Sequence, residues 1–243
     1  MKIVDGVEML ELESNVMGKK SVINVTLLYD EENVVLVDTG FPGMSAYIRE
    51  AVEKAGVALD KVNKIILTHQ DIDHIGSLAS IIKESNKKIE VFSHEEEKPY
   101  IEGTKTPLKL VKFQDKANTS DQIRAICEKL KIGFEMAKSP VNTTLKDGEK
   151  LPFCGGIEVI QTPGHTFGHI CLYIEKSKLL IAGDALGAQD GVLMLADPLF
   201  DFDSNLSKKS LEKLTKYDIE TVICYHGGLV KGNVNERIKE LIK

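Results

Sequence analysis

The chain has 243 residues, 42% apolar and 28% charged, which suits one globular domain over residues 1–243 with a substantial core. Its formal net charge of −6 argues against a general nucleic-acid binder, which needs a basic surface to neutralise phosphates. No run approaches the ~20 apolar residues of a membrane helix, and the opening MKIVDGVEML lacks the apolar core of a signal peptide, so a cytoplasmic protein with no membrane partner is expected.

In chain order, SVINVTLLYD and NVVLVDTG are β-branched runs separated by the turn-like Asp30, Glu31, Glu32 and Asn33, and both predict strands. Phe41, Pro42 and Gly43 read as a turn. The helix after it has Tyr47, Ile48 and Val52 at helical spacing and Gly56 near its end. KIILT predicts a short buried strand. A helix from Ile75 to about Ser85 follows, with Leu78, Ile81 and Ile82 on one face, and then the strand KIEVFSH. Residues 95 to about 145 lose the strand pattern and become polar, which predicts a helical and loop insertion capping whatever lies beneath. Within it, Ser120 reads as the N-cap of a helix carrying Ile123, Ile126, Cys127 and Leu130 at three-and-four spacing. Strands resume with GIEVIQT, HICLYIE and KLLIAGDAL. A helix around Leu206–Lys216 leads to the strand TVICYHGG, and a last helix follows Asn233 with Val234, Ile238, Leu241 and Ile242 facing inward. Cys127, Cys154, Cys171 and Cys224 are scattered without a C-x-x-C pair and are expected to be buried, reduced thiols.

The chemistry-bearing residues fall just after strands. Asp38 follows VVLV and His69 follows KIIL. His165 and His169 lie in TPGHTFGH, Asp184 follows LLIAG, and His226 follows TVICY. Rigid strands aim such side chains and short loops expose them. A lone strand-end Asp is usually a cap or turn former, and a lone His is usually solvated or satisfied. So many together predict a site; His94, also near a strand end, reads as structural. A divalent cation takes imidazole nitrogens and carboxylate oxygens at about 2.0–2.2 Å. In LTHQDIDHIGS, His69 with Asp71 and Asp73 with His74 can each address one metal across a tight loop, and neither pair completes a coordination sphere. His165 could complete the first and His226 the second, while Asp184 could bridge two ions about 3.5–4 Å apart.

H-x-D-x-D-H, a glycine-flanked His in TPGHTFGH, GDAL, and a strand-end His in YHGG resemble the metallo-β-lactamase-fold hydrolases over almost the whole chain. The resemblance implies an α/β (α+β) fold, a four-layer αβ/βα sandwich with a dinuclear metal site at one edge of the central sheets. Carried over, His69, Asp71 and His165 would hold the first ion and Asp73, His74 and His226 the second. Asp184 would bridge them, Asp38 would orient ligands, and His169 would be structural. One departure matters: the usual form is H-x-H-x-D-H, and Asp71 stands where the second His is expected. Zinc is the metal this implies, and the harder carboxylate of Asp71 also admits manganese or iron.

Two ions sharing a bridging hydroxide would serve a metal-dependent hydrolase, with Asp73 as the catalytic residue that orients the nucleophile and passes a proton to the leaving group. The acidic balance weighs against the family's nucleases. The missing leader weighs against a secreted β-lactamase, and an end one helix past His226 weighs against glutathione thioesters. A small-molecule ester, thioester or lactone is therefore the expected substrate. A phosphodiesterase on the same ions and a mononuclear iron, persulfide-type oxidoreductase are the alternatives. Tyr100, Lys105, Lys109 and Lys112 in the insertion read as solvated surface, with contact to an anionic substrate as the competing reading. Tyr225 reads as core, pointing away from His226 by strand alternation. Met194, Phe200 and Phe202 read equally as pocket lining or as core.

Overall fold

Val34–Val37 is buried on both faces, and the reason is visible in the computed structural model, which describes residues 1–16, 19–114 and 120–243. Val34 and Leu36 pack against helices on one side, while Val35 and Val37 pack against a second sheet on the other. A strand covered on both faces must read as a continuous apolar run. Each such side chain contributes roughly 1.5–3 kcal/mol by leaving water.

β1 (Lys2–Val4), β2 (Val7–Val16), β3 (Lys19–Tyr29) and β4 (Val34–Val37) form an antiparallel meander. After α1 (Ser45–Lys54), the parallel strand β5 (Lys64–Ile66) joins β4. The one-turn α2 (Ile72–Ile75) and α3 (Leu78–Glu84) then lead to parallel β6 (Glu90–His94). Ile48 and Val52 of α1 and Leu78 and Ile81 of α3 are buried, as their spacing requires, whereas Tyr47 faces solvent. Between β6 and β7 (Thr143–Leu145) lie α4 (Lys98–Ile101), α5 (Leu108–Gln114) and α6 (Asp121–Ala137). Ser120 caps α6 as expected, its Oγ accepting from the Ile123 N–H at 3.2 Å. The predicted insertion thus ends sooner: residues 143–145 are a strand paired in parallel with β6, completing a seven-stranded sheet in sequence order.

The second sheet has the order β15-β14-β11-β10-β9-β8. It comprises β8 (Lys150–Leu151), β9 (Ile157–Gln161), β10 (Ile170–Ile174) and β11 (Leu179–Ile181), then β14 (Thr221–Cys224) and β15 (Gly228–Lys231). Between β11 and β14 run the hairpin β12 (Leu186–Gln189) and β13 (Val192–Leu195) and the helix α7 (Ser204–Ser210). The predicted helix over 206–216 is thus α7 followed by a 3-10 segment, Leu211–Lys216. α8 (Val234–Leu241) closes the chain, buried through Val234 and Ile238. In β10, Ile170, Leu172 and Ile174 face the first sheet, while Cys171 and Tyr173 face the outer layer with α8. Helix, sheet, sheet, helix is the four-layer sandwich the resemblance implies. All four cysteines are free and buried. No helix among the described residues is long and apolar enough to cross a membrane.

Candidate metal centre

Asp38 ends β4 with a φ of 65°, a left-handed backbone that a non-glycine residue holds at a cost of order 1–3 kcal/mol and that is common at functional sites. The bend turns its carboxylate toward the loop after β5, where it accepts from the Thr68 N–H and hydroxyl at 2.8 Å each. His69 and Asp71 occupy that loop, and Asp73 and His74 ride on the single turn α2. The Thr39 N–H donates to the His74 carbonyl at 2.6 Å. His165 lies in the β9–β10 turn, Asp184 just past β11, and His226 just past β14. Asn24 on β3 pins this last loop by donating its backbone and side-chain N–H groups to the Tyr225 carbonyl, each at 3.0 Å.

The seven predicted ligand residues come together as two groups, His69, Asp71, His165 and Asp184, and Asp73, His74, Asp184 and His226. In the first, Asp71 Oδ2 lies 3.0 Å from His69 Nε2 and 2.8 Å from His165 Nε2, and Asp184 Oδ2 lies 3.4 Å from His165 Nε2. In the second, Asp184 Oδ1 lies 3.2 Å from His74 Nε2 and 3.6 Å from His226 Nε2, with Asp73 Oδ2 3.2 Å from His226 Nε2. One oxygen of Asp184 thus faces each group.

The far nitrogens decide which atoms point inward. His74 Nδ1 meets Asp38 at 2.8 Å and His165 Nδ1 meets Asp201 at 3.0 Å. A carboxylate can only accept, so each Nδ1 carries a proton and each Nε2 is turned toward the centre. The Thr68 hydroxyl donates to Asp38, so at 3.0 Å it accepts from His69 Nδ1. Imidazole nitrogens and carboxylate oxygens then crowd together, and buried Asp71 Oδ1, His74 Nε2 and Asp184 Oδ1 have no hydrogen-bond partner. Such orphans are costly unless a cation fills the space, and the mixed imidazole and carboxylate set suits a divalent ion. The carboxylates also set the charge of the imidazoles, whose inward protons a divalent ion would have to displace. Burial opposes the His165 cation, yet Asp201, Asp71 and Asp184 outweigh it and raise the pKa to about 9. Burial likewise opposes charge on His74, and Asp184, Asp38 and Asp73 raise it well above the usual value. His69, buried beside His74, is lowered to about 4.

His169 takes a supporting place. Its Nδ1 meets the Thr162 hydroxyl at 2.8 Å, and its Nε2 accepts from the Asp184 N–H at 2.9 Å. Gly183 allows that approach, since a Cβ there would lie 2.7 Å from His169 Nε2. Tyr225 is core, as expected, but its ring also stacks on His74 with centroids 3.8 Å apart and its hydroxyl donates to the Asp73 carbonyl. Two participants escape sequence reasoning, and for a third, Lys109, the leading reading fails. Asp201 follows the 3-10 turn Pro198–Phe200, with no strand before it to mark it. Glu97 is fully buried and accepts from Gln70 and Gly168. Lys109, expected to be solvated, instead reaches inward to pair with Asp71 Oδ2 at 2.5 Å. Phe200 and Phe202 are more than half exposed and Met194 is 40% exposed, which rules out the core reading of all three.

Convergent histidines and carboxylates at the strand ends of a four-layer sandwich define a class of metal-binding α/β proteins. Residues 18–226 match the family model of the metallo-beta-lactamase superfamily, and the chain belongs to that superfamily. It is 29% identical over 216 residues to the probable metallo-hydrolase YflN of Bacillus subtilis, covering 84% of this chain and 78% of that one. A shorter stretch of 93 residues, 37% of this chain and 34% of the relative, is 33% identical to a hydroxyacylglutathione hydrolase of Rhizobium meliloti. Among solved structures, a metallo-beta-lactamase family protein from Thermus thermophilus superposes with a TM-score of 0.73 at 25% identity, covering 98% of this chain and 79% of that one.

Proposed function

We propose that the chain, a metal-dependent hydrolase of this superfamily, is a dinuclear enzyme that cleaves a small ester, thioester or lactone. The observation that carries the reading is Asp184, whose two oxygens face two separate sets of imidazole and carboxylate donors. His69, Asp71 and His165 would hold one ion, Asp73, His74 and His226 the other, and Asp184 would bridge them. Two divalent ions, zinc first and manganese or iron as alternatives, would supply Lewis acidity and an acidified water, whose pKa falls from 15.7 to about 7 on such a centre.

The protein's own contribution is placement and proton handling. Asp38, Thr68 and Asp201 hold the three buried imidazoles by Nδ1, so their Nε2 atoms face the centre before any ion arrives. Asp73 Oδ2 lies beside His226 Nε2 at the more open side of the cluster, where His226 is 44% exposed. From there Asp73 can orient the attacking water and return its proton to the leaving oxygen or sulfur. The helices between β6 and β7 cap the centre.

The test is direct. Protein purified in zinc should carry close to two ions per chain and cleave small esters or lactones, losing turnover with chelator and recovering it with added zinc. A bis-arylphosphate measured beside the esters should turn over at least a hundredfold more slowly. Turnover that survives complete metal removal would sink the proposal.

A further inference from the structure

Lys109 is the one lysine that enters the centre among the described residues. It sits at the start of α5, a helix pinned from both ends. The Leu108 N–H donates to Gln70 Oε1 at 2.9 Å, and Gln70 is itself held by buried Glu97. At the other end the Lys112 ammonium donates to the Leu199 carbonyl at 2.6 Å. So placed, the Lys109 ammonium lies 2.5 Å from Asp71 Oδ2 and 5.2 Å from the centre of the Phe200 ring. Its side chain is 20% exposed. An ammonium has three donors, and Asp71 is its one ion-pair partner among the described residues.

Beside that cation lies an apolar ledge. In the segment between Asp184 and Asp203, Met194, Leu199, Phe200 and Phe202 stand 40–74% exposed. Phe202 is tied to the centre, its N–H donating to the His165 carbonyl at 3.2 Å and its ring 4.3 Å from that of Phe167. Exposed aromatic side chains beside a charged site suit a ligand that is part apolar and part ionic.

We propose that Lys109 anchors an anionic group of the substrate, and that the substrate is an ester, thioester or lactone bearing a carboxylate a few bonds from the carbonyl that is cleaved, its apolar remainder lying on Phe200 and Phe202. The inference rests on the hydrolase reading above. The spacing follows from the geometry: a single carboxylate oxygen of Asp71 separates the ammonium from His69 Nε2 and His165 Nε2. An anion on the free donors of Lys109 therefore sits next to the reacting carbon.

The probes are a matched pair, phenyl butyrate and monophenyl succinate, in which a carboxylate replaces the terminal methyl. The zinc-loaded enzyme should favour the succinate ester in kcat/KM by about tenfold or more, the scale of one desolvated charge pair. In Lys109→Met that ratio should collapse toward one, and in Lys109→Arg most of it should return. Calorimetry supplies a readout apart from turnover: succinate should bind the wild type at least about tenfold tighter than butyrate, and Lys109→Met should erase the difference. A wild-type ratio near one, or a ratio that Lys109→Met leaves unaltered, overturns the proposal. So does a Lys109→Met protein that loses zinc while both esters and both acids weaken in parallel, because Lys109 would then only hold Asp71 in place. If neither ester is cleaved while succinate still binds through Lys109, the hydrolase reading fails and the anion site stands.

Discussion

At the residue scale the centre depends on atoms that never face its middle. His165 presents Nε2 inward because Asp201 takes the proton on Nδ1 at 3.0 Å, and Asp201 is itself buried. Partners of this kind are worth about 10–100-fold in metal affinity or activity. Asp201→Ala should therefore weaken zinc binding by that factor in a chelator competition while leaving the circular dichroism spectrum intact; unchanged affinity would mean that His165 is held by packing alone. The same residue shows what was legible. His69, Asp71, Asp73, His74, His165, Asp184 and His226 stood out because each follows a strand end or shares one loop, and position along the chain predicted position in space. Asp201 and Lys109 follow no such junction. They reach the centre from the end of a 3-10 turn and from a short helix, and only tertiary packing delivers them. Glu97 hid for another reason: EEEK reads as solvent-facing charge, yet Glu97 is buried by accepting from the N–H groups of Gln70 and Gly168.

At the element scale, the strands were readable because burial on both faces demands unbroken apolar runs, and the boundaries that shifted lie where that signal is weak. β7 has three residues and its Thr143 and Thr144 are only partly buried, so nothing marked it apart from the polar segment before it. The helix at 206–216 has apolar residues at helical spacing, but its second half tightens to 3-10 geometry, which spacing alone does not reveal. Turns also tie the two sheets together. Asp30, between β3 and β4, accepts from the N–H groups of Glu32 and Asn33, and with its other oxygen from the Cys154 N–H at 2.7 Å, across the sandwich. Slight burial opposes its charge, but these donors outweigh it and lower the pKa from 3.8 to about 2. A lowered folded-state value gives stability that is whole above 3.8 and is lost as pH falls through about 2. Asp30 is exposed, so after screening Asp30→Asn should cost no more than about 1 kcal/mol in urea melts at pH 7. The gap between variant and wild type should narrow between pH 4 and pH 2; a gap that stays constant over that range would show that charge plays no part in the tie.

At the scale of the whole molecule, the candidate ligands divide between the sheets. His69, Asp71, Asp73 and His74 follow β5 of the first, and His165, Asp184 and His226 follow β9, β11 and β14 of the second. Without an ion the centre gathers three carboxylates and several imidazoles in buried space, with Asp71 Oδ1, His74 Nε2 and Asp184 Oδ1 left without hydrogen-bond partners. An ion that binds only the folded chain at a hundred times its Kd stabilises it by about 2.7 kcal/mol per site. For a chain of this length that corresponds to a rise in Tm of about 5–10 °C. Because the donors span both sheets, the gain should not stay local. Hydrogen exchange of zinc-loaded against chelator-stripped protein should show added protection in β5 and in β11 and β14 together, and the melting transition should remain single. Protection confined to the loop after β5 would mean that the ion is held by the first sheet alone, and the Asp184 bridge would have to be abandoned with it.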